Sequence, residues 1–311
     1  MKKWIRNSVL FFLLVAVAYP VLVILWGELL PVNGFKKNLI YVQQGGGFTG
    51  KRLQEVKNTS EVDVLFLGSS VAYRGLDTRF YTSKGLKVFN LGTSSQTPLE
   101  TQLLLDRYLQ QLQPKLVVYA VSPEAFSGDG VESALDLIAN DSIQKDMYSL
   151  ALRLNNMKVY NTLIYAQYKQ LMGNHLQQHP DSVNEVDRYI LGGFTERKME
   201  HLNPPIWDTM AWTFQPEQIE SFDTILAAFA TEEIPVILVH PPLSPSFYKA
   251  HTNNAAFDRL MEKRGTYQNY NTILSLKDTL HFYDELHLNQ DGVELFNQHL
   301  YQSKAFQQLL K

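Results

Sequence analysis

The chain has 311 residues and a formal net charge of −3, so it lacks the basic balance that a nucleic-acid partner calls for. Hydrophobic residues make up 45% and charged residues 19%, which is enough apolar material for one large domain with an insertion, or for two small ones. There is no cysteine, which excludes disulfides, thiolate metal ligands and a cysteine nucleophile.

The N-terminus reads as a membrane element. Lys2, Lys3 and Arg6 precede an uncharged run from Ser8 to Trp26. At about 1.5 Å per residue such a run just crosses a hydrocarbon core of about 30 Å. Trp4 and Trp26 lie near its ends, where amphipathic rings favour the interface. The basic residues place the N-terminus in the cytoplasm, with Lys36 and Lys37 on the far side opposing that bias. A cleaved signal peptide, with Ala16-Val17-Ala18 as the small-residue site, is the competing reading. Strong apolarity resumes at Val21-Leu22-Val23-Ile24-Leu25, which favours a retained anchor over residues 1–33. Either way, the chain from about Gly34 onward faces outside the cytoplasm.

Residues 34–60 read as a juxtamembrane linker. Gly45-Gly46-Gly47 within it is not followed by the Lys-Ser/Thr of a phosphate loop, so a flexible loop is expected. Five apolar runs then suit strands of a buried parallel sheet: Val62 to Leu67, Lys87 to Leu91, Leu116 to Val121, Pro235 to His240 and Leu280 to Tyr283. Helices are expected over Leu99 to Leu112, where Pro98 suits the first turn, and along the stripe Ile219, Phe222, Ile225, Leu226, Phe229. A last helix follows Asn289-Gln290-Asp291-Gly292 and carries Val293, Phe296 and Leu300.

Strands alternating with helices predict an α/β fold over 61–311, a three-layer flavodoxin-like sandwich with a parallel sheet of about five strands. A stretch at about 127–215 interrupts the alternation. Helices are expected in it near Ile143 to Arg153 and Tyr160 to Met172, followed by an aromatic section with Trp207, Trp212 and Phe214. It reads either as a helical insertion bordering the active site or as a packing extension of the scaffold. The three aromatics suit stacking on sugar rings or, by default, core packing. His175 and His179 are four apart, but no third ligand is evident; solvated surface is the better reading than zinc, and no metal or other cofactor is expected.

In open α/β sheets, ligands sit at the carboxyl ends of the strands. Ser70 follows the first run, and Asp284 and His287 follow the fifth, so all three fall at that edge. A serine at a strand end, a histidine to take its proton and an aspartate to orient the histidine are the parts of an activated nucleophile. The plain alternative for Ser69 and Ser70 is a helix cap.

Gly68-Ser69-Ser70 and Asp284-Glu285-Leu286-His287, with Leu288-Asn289-x-x-Gly292 after it, together resemble the blocks of the SGNH (GDSL-like) hydrolase and acyltransferase superfamily. The resemblance covers about residues 61–126 and 232–301. Ser69 stands where the family usually has Asp. Gly-Ser-Ser is similar to the membrane-anchored branch that includes D-alanyl transfer and alginate O-acetylation proteins. The resemblance implies Ser70 as nucleophile, His287 as base and Asp284 as its orienter. It implies an oxyanion hole from the backbone N–H groups of Gly92 and Ser70. The family's third donor is an Asn in a block that here reads Val121-Ser122-Pro123-Glu124, so Ser122 would be the substitute, or the hole would have two donors. Tyr73 and Arg74, just past the nucleophile, and His240, at a strand end, are candidate substrate contacts, with an exposed-helix reading open for the first two. The implied activity is acyl-ester transfer or hydrolysis on an envelope glycan at a bacterial inner membrane. A membrane-bound O-acyltransferase is the implied partner; a carbohydrate or lipid esterase with the same triad and a non-catalytic glycan-binding or scaffold subunit are the two rivals.

Overall fold

A computed structural model describes residues 1–30, 37–43, 47–176 and 182–310. Its first elements are α1 (Lys2–Leu29), α2 (Thr49–Val56), β1 (Val64–Gly68), α3 (Ser70–Gly75), α4 (Thr78–Thr82) and β2 (Val88–Asn90). Then come α5 (Pro98–Leu112), β3 (Leu116–Ala120), α6 (Pro123–Ser127), α7 (Val131–Asn140), α8 (Lys145–Leu154) and α9 (Met157–Leu171). A hairpin of β4 (Asp187–Ile190) and β5 (Phe194–Arg197) precedes α10 (Pro216–Thr231), β6 (Val236–His240), α11 (Pro245–Ala250) and α12 (Asn254–Glu262). The chain closes with β7 (Thr266–Asn269), α13 (Tyr270–Ile273), α14 (Asp278–His281), α15 (Gln290–Gln302) and α16 (Lys304–Leu309).

The chain divides into two compact units, residues 1–43 with 134–179, and residues 44–133 with 180–311. The second unit holds a parallel five-stranded sheet in the order β2-β1-β3-β6-β7, with β1 paired on both sides. This is the flavodoxin-like doubly wound order. Val64, Phe66, Leu116, Val118, Ile237 and Val239 form one face of the sheet, and α3, α15 and α16 cover it with Val71, Ala72, Val293, Phe296, Leu300 and Phe306. The opposite face is also buried; there the Tyr119 ring meets Phe222 of α10 edge-on at 5.3 Å. Burial on both faces is why β1 and β3 read as continuous apolar runs.

The fifth strand lies elsewhere than expected. It is Thr266–Asn269, while residues 278–281 form the short α14 and Phe282 makes an isolated bridge to Leu288. An edge strand pairs on one side only, so a half-exposed polar segment can fill that place. Residues 47–60, read as linker, carry α2, whose Leu53 and Val56 are fully buried. Gly45 and Gly46 lie outside the described residues. The stretch read as a single insertion is split: residues 134–176 fall in the first unit and residues 182–215 in the second.

Helix α5 starts on a capping box, with Thr97 and Glu100 bonded reciprocally and Pro98 in the first turn. The fully buried Glu100 accepts from the Thr97 N–H at 3.1 Å and the Thr97 hydroxyl at 2.5 Å. Desolvation nonetheless pushes its carboxyl up to about 7. The β4–β5 hairpin is pinned by a bidentate ion pair, Arg74 Nη1 and Nη2 to the Asp187 carboxylate at 2.9 and 3.0 Å. The two side chains retain 11% and 3% exposure.

Two stability effects are expected. A carboxyl whose folded pKa is raised favours the native state below its unfolded value, and that contribution is lost as pH rises through the folded one. Raising the pH from about 4.5 to above 7 therefore costs up to roughly 3 kcal/mol at Glu100; Glu100→Gln should flatten this part of a urea-midpoint profile. Asp187→Ala takes the bidentate carboxylate from a nearly buried arginine and should lower stability by about 3 kcal/mol in the same assay.

Candidate active site

The site begins at the end of β1. Gly68 has φ of +133°, and a Cβ there would lie 2.5 Å from the Ala120 carbonyl oxygen of β3, so only glycine allows the chain to turn out of the sheet. The next two residues leave at the carboxyl edge and open α3 with Ser70. Ser69 holds the N-cap position, but its side chain makes no capping bond. A polar cap is therefore no explanation for Gly-Ser-Ser.

On the other side, residues 282–289 form a loop tied at both ends. Phe282 and Leu288 are buried and bridge each other, and Asn289 caps α15 through the Gly292 N–H at 3.2 Å. Within the loop, Asp284 Oδ1 accepts from the N–H groups of Leu286 (2.9 Å) and His287 (2.8 Å), an Asx turn that fixes the carboxylate against its own backbone. The same carboxylate meets His287 Nδ1 at 2.9 and 2.8 Å. His287 Nε2 then lies 2.7 Å from Ser70 Oγ. The Tyr283 ring stacks parallel to the imidazole at 5.5 Å, which limits its rotation.

Partial burial pushes the Asp284 carboxyl upward, but the bonds from His287 and from the two backbone N–H groups outweigh it and hold the group below the ordinary aspartate range. It is thus a carboxylate in neutral water, suited to keep the proton of His287 on Nδ1. That leaves Nε2 as an acceptor towards Ser70 Oγ, the arrangement needed to remove the hydroxyl proton during attack on a carbonyl.

A cleft of about 180 Å³ opens beside Ser70, lined by Ser95, Thr97 and three carboxylates, Glu124, Asp129 and Glu132. The Glu124 carboxyl is pushed up to about 7, first by desolvation and then by repulsion from Glu285, Asp284 and Glu132. No lysine or arginine is among the described lining side chains, so the three carboxylates repel a negatively charged substituent here. Sequence reading passed over Glu124; its position two residues past Ser122, at the end of β3, was the available signal.

The remaining sequence candidates separate. Gly92 N–H donates to Asn90 Oδ1 at 3.1 Å, so a role as oxyanion donor requires that bond to be exchanged. A Cβ at Gly92 would lie 2.9 Å from the Gly68 oxygen and 3.0 Å from the Ser69 oxygen; the glycine lets the second strand end close to the Ser70 turn. Ser70 N–H belongs to the first residue of α3 and has no carbonyl to meet within the helix. Ser122 is buried at the N-cap of α6, where its Oγ accepts from the Ala125 N–H at 3.4 Å. Its hydroxyl proton stays available for donation.

Tyr73 and Arg74 are structural instead of substrate contacts. Tyr73 is buried, with its hydroxyl 3.2 Å from Ser94 Oγ, and Arg74 is taken by Asp187. His240 is fully buried 3.4 Å from the Tyr267 hydroxyl, and burial pushes its imidazole down to about 3, so it is a neutral core residue and not part of the cleft lining.

His175 is 2.7 Å from the Tyr41 hydroxyl and 2.6 Å from the Asp141 carbonyl oxygen; His179 lies outside the described residues. Trp212 stacks flat on His251 at 3.9 Å, Trp207 meets Phe247 edge-on at 4.9 Å and Phe214 packs on Phe257. All three aromatics are engaged with protein. Among the described residues, no group of three or more His, Asp or Glu side chains could hold a metal ion.

No family model and no curated protein matches the chain. Among solved structures, it is similar to a putative acylhydrolase from Bacteroides fragilis at 12% identity, over 86% of this chain and 100% of that one, with a TM-score of 0.44. A GDSL-like lipase from Bacteroides thetaiotaomicron is similar at 12% identity, over 84% and 97%, with a TM-score of 0.43. A two-domain esterase active on acetylated mannans is similar at 11% identity, over 88% of this chain and 56% of that one, with a TM-score of 0.39.

Proposed function

We propose that the protein is a membrane-anchored serine enzyme that forms an acyl-enzyme on Ser70 and passes the acyl group to a hydroxyl of an envelope glycan or to water. The observation that carries this reading is the unbroken line from the Asp284 carboxylate through His287 to Ser70 Oγ, with contacts of 2.8 and 2.7 Å. Ser70 Oγ attacks the ester carbonyl carbon while its proton moves to His287 Nε2. The carbonyl π pair becomes an oxyanion, which faces the Ser70 N–H and the Ser122 hydroxyl, with the Gly92 N–H joining if it leaves Asn90. Collapse of the adduct breaks the C–O bond, and His287 returns its proton to the departing alcohol oxygen. A glycan hydroxyl or a water then attacks the Ser70 ester by the same steps in reverse. The imidazolium formed in each half-reaction is held by Asp284.

The anchor reading rests on α1, which is long and apolar enough to cross a membrane and exposes most of its length. A tethered site lies next to acyl groups delivered through a membrane-bound O-acyltransferase, so transfer suits this setting better than free hydrolysis. The acidic cleft favours an ester whose substituents are neutral or cationic.

The full-length protein in detergent, treated with a fluorophosphonate, should label at Ser70 and nowhere else, as located by mass spectrometry. Ser70→Ala should abolish the label, and His287→Ala should slow labelling by at least about 100-fold. A folded protein that takes no label would instead favour the non-catalytic scaffold. At pH 8 a phosphonate with a cationic arm should label faster than its anionic counterpart, and Glu124→Gln should narrow that ratio by about threefold or more. Equal rates for the two arms would remove the electrostatic reading of the cleft.

A further inference from the structure

In the first unit, α9 runs parallel to the outer half of α1. The Tyr19 hydroxyl donates to Asn161 Oδ1 at 2.5 Å and lies 3.0 Å from Met157 Sδ. Two turns on, Gly27 lies against the Tyr165 ring, and Glu28 accepts from the Tyr165 hydroxyl at 3.0 Å and pairs with Lys169 at 3.3 Å. The start of α9 is therefore level with Tyr19, and its end is level with Glu28.

Length then sets where the bilayer ends. From Trp4 to Tyr19 the helix rises about 22 Å, some 8 Å short of a hydrocarbon core of about 30 Å. The shortfall carries the apolar boundary about five residues past Tyr19. Val21, Leu22 and Leu25 are 48, 63 and 47% exposed there, which is the surface that such a boundary would cover. The first turn of α9, level with Tyr19, lies about 8 Å inside that boundary, within the 5–10 Å to which interfacial apolar faces are buried. Joined to it through Asn155 and Asn156 is the last turn of α8, and the two make a helical hairpin whose tip carries Leu152 at 71% and Met157 at 57% exposure. Arg153, Asn155 and Lys158 sit among these apolar side chains. Charged and amide groups keep the tip from sinking further into the hydrocarbon, while long basic side chains reach back to the headgroups. Apolar residues that seek lipid and polar ones that refuse it meet at one depth, the interface.

We propose that the tip of the α8–α9 hairpin, with Leu152 and Met157 foremost, is a second membrane contact lying in the outer-leaflet interface of the bilayer that α1 crosses. It rests on the anchor reading of α1. The hairpin then holds the first unit against the lipid surface at a set height, instead of leaving it on a swivelling stalk.

The chain has no cysteine, so a single introduced thiol carries a label at one place. Phe12→Cys, Leu152→Cys, Met157→Cys and Met172→Cys would each be labelled with an environment-sensitive nitrobenzoxadiazole dye, with the full-length protein in phosphatidylcholine nanodiscs. Lipids with a doxyl quencher at acyl carbon 5 or 12 report depth. Residue 12 should be quenched most by the deeper group, and residues 152 and 157 about twofold or more by the shallow one. Met172, at the far end of α9 and also exposed, should stay unquenched. Residues 152 and 157 behaving like 172 while residue 12 is quenched would overturn the inference alone. An unquenched or missing label at residue 12 would overturn the anchor reading and the inference with it.

Discussion

The site depends on the position of β1 inside the sheet. Paired on both sides and buried on both faces, this strand leaves the chain only one way out, over the carboxyl edge. Gly68 makes that exit sharp by allowing β3 to approach where a side chain would collide with its carbonyl. Ser70 is consequently delivered at a fixed place without help from its own neighbours. The Asx turn at Asp284 does the same for His287 from the opposite end of the chain. The two halves, 217 positions apart, meet at 2.7 Å, each held by its own local contacts.

The polar groups around this point divide into those that build and those that face the cleft. Asn90 binds the oxygens of Ala72 and Leu76 and holds the Gly92 N–H, so a single buried amide joins the end of β2 to the helix that begins at Ser70. Arg74 belongs to the hairpin anchor and Ser122 to the α6 cap. Glu124, Asp129 and Glu132 give the cleft its charge. On the reading of Ser70 as the nucleophile, a substrate would meet these carboxylates beside the serine.

Much of this was legible in the sequence, for physical reasons that can be named. β1 and β3 are buried on two faces and read as unbroken apolar runs; α5 announced itself through Pro98 at its first turn; Asn289 and Gly292 marked the start of α15. The strand-end argument held for Ser70 after β1; for Asp284 and His287 its premise failed, since the run before them is no strand, and they were legible through the Asp-x-x-His spacing itself. The failures follow the same logic. β7 pairs on one side and is half exposed, so Thr266-Tyr267-Gln268-Asn269 has no apolar signature, while Leu280 to Tyr283 has one and spends it on a loop anchor. Tyr73, Arg74 and His240 stand next to the right strand ends, but neighbours in sequence at a helix start or strand end point to different sides. Sequence distance gave Arg74 to the substrate; only the fold brings Asp187 to it.

The first unit is made of two segments, 1–43 and 134–179, with three strands of the central sheet encoded between them. During synthesis from the N-terminus, α1 emerges more than a hundred residues before α9. The partners that α1 meets in the finished fold, Asn161, Tyr165 and Lys169, do not yet exist when it does so. Tyr19 and Glu28 must wait unpaired within the helix until translation catches up. Assembly of this unit is therefore vectorial, and a truncation anywhere before residue 157 would release a helix with two polar groups and no clasp for them.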